Sequence, residues 1–469
     1  MLEPAAPQLE PAFDAANQRV HVITHGCQMN VYDTHRILQV LGAAGWVETS
    51  DPTLADLVLV NSCSVRDRPE KKIIGTLSRM LPLKEAHPGL RFGVCGCVAQ
   101  QHGESLLKKV PYIDIVFGPD RIADLPEIIA ENRTGCRVAM TELDDPSDHA
   151  FLPVDPTVET GPSAFLTIMK GCDRFCSYCI VPYVRGRQVS KPAAVVVAEV
   201  ESLVRVGVRE VTLLGQNVNA YGKDRAGEPS FADLLARVAA VVGLYRVRFV
   251  TSHPADADDA MLDMFGSLPS LAKGLHLPVQ SGSDSVLFRM RRGYDVARYM
   301  DRLARVRRAC PGIALSSDII VGYPGETPED FEATMSLVQA AHFDSLFSFK
   351  YSPRPGTAAA KVKDDVPETE KAARLARVQS LQDSISARRM NGYLGSEEVV
   401  LVEGPSRFAR VGGRGKLRTE VQGRTSTNVM VNFGIDRVAA EARGRLVRVR
   451  IDEVLSHSLR GTVISWEAD

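Results

Sequence analysis

The chain has 469 residues, which predicts about three domains at roughly 150 residues each. A composition of 45% hydrophobic and 24% charged residues excludes a disordered or fibrous protein. Lys plus Arg (56) and Asp plus Glu (57) nearly cancel, leaving a net charge of −1, so any nucleic-acid contact must come from a local basic patch.

The opening residues, MLEPAAPQLEPAFDAANQ, carry acids and prolines without a basic region followed by an apolar one. They read as a disordered tail over 1–17, not as a secretory signal. No apolar run is long enough for a membrane span, which predicts a cytoplasmic protein with no membrane partner. From Arg19 onward, short β-branched runs alternate with helical periodicity: RVHVITHG, then VYDTHRILQVLGAAGW, then LADLVLVNS, DRPEKKIIGTLSRML and RFGVCG. This is the pattern of a parallel α/β sheet, placed over 18–135. Residues 136–163, acidic and rich in Pro, Ser and Asp, read as a linker.

A second strand–helix series runs over 164–389. Strand candidates AFLTIMKG, EVTLLGQN, RVRFVTS, GLHLPVQS, IALSSDIIVGYPG and SLFSFKYS suit a partial (βα)6 barrel, whose chemistry would gather at the C-terminal strand ends. After Arg389 the helical pattern stops. SEEVVLVEGPS, LRTEVQGRTS, NVMVNFG and RLVRVRIDEVL predict a small antiparallel β-barrel over 390–465. The overall class is therefore α/β with a C-terminal β module.

Nine cysteines in a chain that looks cytosolic point to metal or redox chemistry rather than disulfides. GCDRFCSYC sets Cys172, Cys176 and Cys179 in a C-x3-C-x2-C array just after a strand. Three thiolates can converge on one centre. Structural zinc would want a fourth ligand close by, and no His or Cys follows within twenty residues. Most iron–sulfur clusters take four cysteines. Three ligands on a four-iron cluster would leave one iron open, the mark of a catalytic site. An electron-transfer ferredoxin-like site is the other reading.

Cys27, Cys63 and Cys97 each follow a strand of the first sheet. In a parallel sheet those ends share one edge, so the three could meet in one crevice. Cys95 is two residues before Cys97, and strand alternation would point both to one face. Cys97 is preferred because it belongs to the turn GCVAQ. Cys136 and Cys310 stand alone and read as buried small hydrophobes.

The spacing of the second array resembles the radical S-adenosylmethionine (SAM) enzymes. Together with THGCQMNVYDT, LVLVNSCSVRD, GVCGCVAQ, IVPYVRGRQVS, LLGQNVNAYG, HLPVQSGSD and SPRPGT, it resembles the methylthiotransferases of that superfamily, the MiaB-type tRNA enzymes in particular. The match covers roughly residues 19–465; Cys95 is a departure, since relatives usually carry another residue there.

The resemblance implies a flavodoxin-like first domain with an auxiliary 4Fe–4S cluster on Cys27, Cys63 and Cys97. It implies a radical SAM core whose cluster sits on Cys172, Cys176 and Cys179, and a C-terminal TRAM domain that binds RNA. The activity implied is a methylthiotransferase reaction: insertion of sulfur at C2 of N6-isopentenyladenosine beside the tRNA anticodon, then SAM-dependent methylation of that sulfur. Two 4Fe–4S clusters and SAM would be the cofactors. The partners would be tRNA, an electron donor such as flavodoxin or ferredoxin, and a sulfur donor. Candidate SAM contacts are Tyr178, Gly215, Gln216, Asn217, Ser252, Gln280 and Asp318, near or beside strand ends. His253 reads as a turn residue, and VGYPGE lacks the lysine of a phosphate loop.

Residues 405–424 place Arg407, Arg410, Arg414, Lys416, Arg418 and Arg424 against the single acid Glu420, a net charge of +5. This strip is the candidate RNA contact, with Phe408 as a stacking residue. Arg289, Arg291 and Arg292 form a second candidate patch. Sister enzymes acting on threonylcarbamoyl-adenosine in tRNA or on a ribosomal-protein aspartate are the nearest alternatives. A non-catalytic iron–sulfur RNA-binding protein is the alternative from another class.

Overall fold

The computed structural model describes residues 18–64, 69–133, 135–158, 161–406, 419–436 and 438–467. They form two compact units: one spans the chain up to Val158 and adds Tyr183–Gly186, and the other holds the rest.

The first unit is built on a parallel sheet of β1 (Arg19–His25), β2 (Val47–Glu48), β3 (Leu57–Ser62), β4 (Arg91–Cys95), β5 (Ile115–Phe117) and β6 (Val138–Met140). The spatial order is β2-β1-β3-β4-β5-β6. Every residue of β3 is buried, as expected of a central strand covered on both faces. The chain leaves β1 through α1 (Gln28–Ala43) toward β2, but leaves β3 through α2 (Pro69–Ala86) toward β4. The winding direction thus reverses between β1 and β3, and a crevice opens beyond their carboxyl ends.

The expected linker at 136–163 is corrected by the structure. Val138 is buried and β6 pairs in parallel with β5, extending the sheet by a strand too short to show a period. The acidic stretch that follows packs back onto the same unit. Arg36 and Gln39 donate to the Pro153 carbonyl, and His149 contacts Asp144 at 2.7 Å.

In the second unit six parallel strands lie in chain order: β7 (Ser163–Thr167), β10 (Glu210–Leu214) and β11 (Arg246–Phe249) in one sheet, and β12 (Gly274–His276), β13 (Ala314–Val321) and β14 (Ser345–Lys350) in another. A parallel bridge from Val247 to Leu271 links the two halves. A small antiparallel pair, β8 (Met169–Lys170) with β9 (Val189–Ser190), follows β7 and holds the base of the long loop that carries Cys172, Cys176 and Cys179.

The C-terminal strands β15 (Glu397–Pro405), β16 (Thr419–Thr425), β17 (Met430–Ile435), β18 (Leu446–Val454) and β19 (Leu459–Trp466) close a barrel around Val400, Val402, Val421, Phe433, Val447 and Ile451. One pair departs from the antiparallel expectation: β17 and β19 run parallel. The β16–β17 hairpin docks at the amino-terminal ends of β10–β12. Val247 and Phe249 of β11 are buried, and Phe249 packs on Phe231 and Phe265 of flanking helices, so alternation turns Arg246 and Arg248 to the other face. There Arg246 donates to the carbonyls of Arg424 and Val399 at 2.7 and 2.6 Å, and Arg248 to those of Ser426 and Thr425 at 2.9 and 2.7 Å. Glu210 pairs with Arg248 at 2.9 Å. No helix among the described residues is long and apolar enough to cross a membrane.

Candidate metal and cofactor site

The first cysteine set lies at the crevice between β1 and β3. Cys27 caps the start of α1, and its backbone N–H and thiol both donate to Asn30 Oδ1, at 3.3 and 3.5 Å. Asn30 Nδ2 in turn donates to Asn61 Oδ1 at 2.9 Å, and Asn61 Nδ2 donates to the Asn30 carbonyl and to Thr34 Oγ1. This buried amide pair clamps the end of β1 to the end of β3. Gly26 is required here, since a Cβ would overlap the Asn30 side chain.

Cys63 follows β3, and its hydrogen bond to the Cys27 thiol, against the opposing effect of burial, pulls Cys27 down to about 6. Cys97 opens the helix Cys97–His102 after β4. It lies near enough to Cys27 to sense its charge, while burial pushes its thiol up. Strand alternation does not decide between Cys95 and Cys97, because Gly96 breaks the strand with φ 86° and ψ −159°. Cys95 stays in the apolar core with Leu57, Leu59 and Ile115, and burial drives its thiol well above the ordinary range. Cys97 is turned out of that core, where Arg185 Nε donates to its Sγ at 3.2 Å.

The second set sits beyond β7 and β8. Gly171 takes φ 72° and Phe175 φ 46°, left-handed conformations that curl the loop on itself. Burial, reinforced by Cys176, pushes Cys172 up to about 11 and Cys179 up to about 12. The loop is bolted down by Ser177, whose N–H donates to the Met290 carbonyl at 3.0 Å and whose hydroxyl donates to the Arg289 carbonyl at 2.8 Å. Arg292, placed among surface arginines on sequence grounds, is instead buried: it donates to Cys176 Sγ at 3.3 Å, to the Tyr178 hydroxyl at 3.3 Å and to the Pro278 carbonyl at 2.7 Å. Arg289 contacts Asp330 at 3.3 Å, and Arg291 is the exposed member of that run.

Cofactor candidates cluster at the neighbouring strand ends. Gln216 Nε2, Asn217 Oδ1, Ser252 Oγ and Gln280 Oε1 are buried polar atoms with no hydrogen-bond partner in the structure. Buried polar atoms are normally paired. Unpartnered ones also occur elsewhere in the chain, as at Ser163 and Gln382, but these four at the strand ends are free to meet a polar ligand. Each belongs to a residue chosen from sequence. Asn217 also donates to Asp256, which Arg174 and Lys223 hold as a carboxylate below its usual range against the opposing effect of burial. Gly215 has a packing reason: a Cβ would meet Met169 Cγ at 2.5 Å. Asp318 lies 3.5 Å from His276 on the strand face opposite the buried Ser317 and Ile319. Tyr178 packs beside Met290, Tyr323 and Tyr351. His253 lies 3.8 Å from Cys176 Sγ, and burial holds its imidazole neutral by lowering its pKa well below the usual range.

Among the described residues, only Asp120, Asp144 and His149 bring three such ligand atoms within 4.8 Å of one another. Of the basic strip, Arg407, Arg410, Arg414, Lys416 and Arg418, with Phe408, lie outside the described residues. Arg424 is described: its guanidinium pairs with Glu403 at 3.1 Å while its carbonyl accepts from Arg246.

A parallel partial barrel with three cysteines in the loop beyond its first strand is the arrangement of the radical SAM superfamily, and residues 166–338 match that superfamily. Residues 19–118 match the family described as Uncharacterized protein family UPF0004. A tRNA-2-methylthio-N(6)-dimethylallyladenosine synthase from Geobacter sulfurreducens is 45% identical over 453 residues, covering 97% of this chain and 99% of the relative. The enzyme of the same name from Burkholderia mallei is 45% identical over 459 residues, covering 96% and 98%. The chain belongs to this family of radical SAM methylthiotransferases. The radical SAM methyltransferase TsrM from Kitasatospora setae, solved with cobalamin and a 4Fe–4S cluster bound, shares the fold with a TM-score of 0.54 at 18% identity, covering 73% of this chain and 77% of that one. Membership implies a 4Fe–4S cluster and SAM, and the three cysteines of the loop and the unpartnered polar atoms at the strand ends fit both.

Proposed function

We propose that the protein inserts sulfur at C2 of N6-isopentenyladenosine beside the tRNA anticodon and then methylates that sulfur, with SAM serving both as radical source and as methyl donor. The observation that carries this reading is the pair of cysteine sets, one following three strands of the first sheet and one in the single loop after β8, in a chain 45% identical along nearly its whole length to synthases named for that product.

Cys172, Cys176 and Cys179 would hold the radical-generating cluster, and Cys27, Cys63 and Cys97 a second 4Fe–4S cluster that carries or supplies sulfur. Bound SAM with the reduced cluster supplies a radical able to take hydrogen from an unactivated C–H, chemistry that belongs to the cofactors. The protein's part is placement. Gln216, Asn217, Ser252 and Gln280 offer the donors and acceptors that would orient SAM, and Arg292 holds Cys176 in a dry setting. His253, buried and 3.8 Å from Cys176 Sγ, would stand in the wall of the site. The basic strip 407–418, which lies between β15 and β16 in sequence, would take the RNA phosphates. An electron donor and a sulfur donor complete the scheme.

Mass spectrometry of tRNA nucleosides from a strain lacking the gene tests it. The expected result is loss of the 2-methylthio mark with accumulation of the isopentenyl precursor. An unchanged nucleoside profile, or loss of a threonylcarbamoyl-type mark instead, would overturn the substrate assignment.

A further inference from the structure

Arg185 is a buried arginine that the chemistry above does not use. It belongs to the first unit and comes from the short segment Tyr183–Gly186. Its guanidinium meets Asp33 through both terminal nitrogens, at 2.5 and 3.4 Å, with the arginine 7% and the aspartate 8% exposed. That two-point contact fixes the plane of the fork, and of the three N–H groups it leaves, Nε–H is aimed at Cys97 Sγ, 3.2 Å away.

Asp33 itself is set by the helix that begins just after Cys27. Asn30, Asp33, Thr34 and Ile37 are its buried face, at the spacing of one helical stripe. One helix therefore positions two cysteines of the set: Asn30 accepts from Cys27, and Asp33 aims the arginine at Cys97. The ion pair has no net charge, so what the sulfur receives is a directed hydrogen bond. A hydrogen bond to a cysteine ligand stabilises the more negative, reduced state of an iron–sulfur cluster and strengthens the hold of its ligand shell. Lysine could supply charge but not a planar fork held at two points with a third donor to spare.

We infer that Arg185 is a positioning residue for the cluster bound by Cys27, Cys63 and Cys97: aimed by Asp33, it clamps the Cys97 thiolate and raises that cluster's reduction potential. The inference rests on the reading that this set holds a cluster. The test uses the full chain carrying Cys172→Ala, Cys176→Ala and Cys179→Ala, reconstituted with iron and sulfide under anaerobic conditions, so that only this site is observed. Iron content, an EPR-monitored redox titration and the rate of iron loss to a chelator are compared with Arg185 intact, with Arg185→Met and with Asp33→Asn.

With Arg185 intact, about four irons per chain are expected by the four-iron pattern. Arg185→Met should shift the potential to more negative values and speed iron loss. Asp33→Asn, which keeps the arginine but loosens its aim, should shift both in the same direction by less. Equal potentials and equal rates in parent and variants would overturn the role of Arg185. Absence of iron from the parent would instead overturn the cluster reading itself. Should Arg185→Met fail to fold, Asp33→Asn decides alone, and an unchanged potential in it counts against the inference.

Discussion

Replacing Gly96 by alanine tests how the fold separates Cys97 from Cys95. Gly96 has φ 86° and ψ −159°, a region essentially reserved for glycine, and a side chain forced into it costs about 1–3 kcal/mol. The added Cβ would also stand 2.5 Å from Asn61 Oδ1 and 2.7 Å from the Ser62 carbonyl. Neither can retreat, since Asn61 is fully buried and hydrogen-bonded to Asn30, and Ser62 is the last residue of β3. Such overpacking costs about 1–3 kcal/mol more. The expected destabilisation of the first unit is therefore about 2–6 kcal/mol, a large share of an ordinary domain's stability.

The chain has two tryptophans, and Trp46 lies in the first unit while Trp466 lies in the C-terminal barrel. In a Trp466→Phe background, fluorescence during urea unfolding reports the first unit through Trp46. With a slope of about 1–3 kcal/mol per molar urea, the midpoint should fall by roughly 1 M or more. A midpoint in Gly96→Ala equal to that of the parent would refute the account of the turn.

In the apoprotein, Cys27 should react with iodoacetamide near neutral pH ahead of Cys172 and Cys179, because the Cys63 hydrogen bond holds it at about 6 while burial holds the other two at about 11 and 12. Peptide mass spectrometry reads the order, and its rate should fall as pH drops below about 6. Asp330 sits in the first turn of the helix Pro328–Ala341 and accepts from the N–H of Thr327, the N-cap; burial opposes its ionisation, but Ser283, Ser285, Thr327 and Arg289 bring its carboxyl down to about 2 from an ordinary 3.8. A depressed acid adds stability above its unfolded value and loses it as pH falls through the folded one. Asp330→Ala, which removes these hydrogen bonds, should therefore cost about 1–2 kcal/mol near neutrality, and the gap from the parent in thermal unfolding should narrow between about pH 4 and 2. Arg246→Met should release the C-terminal barrel from its dock by removing two charge-assisted bonds to carbonyls, about 1.5–3 kcal/mol each, and be read as faster limited proteolysis before Glu397.

The sheets were legible because β-branched runs mark strands, and the parallel order places Cys27, Cys63 and Cys97 after the strands β1, β3 and β4 that the sequence pointed to. Gln216, Asn217, Ser252 and Gln280 could be picked as strand-end polar residues, but their lack of protein partners shows only in three dimensions. Arg185 and Arg292 were not legible as hydrogen-bond donors to cysteine sulfur. Arg292 sits in the run RMRRGY, where composition suggests a solvated patch, and only the packing of that turn on Ser177 carries it inward. Arg185 follows the cysteine loop closely in sequence, the one hint available, but its target Cys97 is 88 residues away. The stretch after Gly135 read as a linker because acids and prolines dominate it; Gln39 and Arg36 order part of it through a backbone carbonyl, which composition does not register.

The hairpin between β16 and β17 is held through its backbone: Arg246 and Arg248 bind carbonyls of Arg424, Thr425 and Ser426, whatever side chains those positions carry. The attachment of the last domain is therefore written in β11 and not in the hairpin's own side chains, and substitutions along the hairpin that keep its backbone path leave the seam intact.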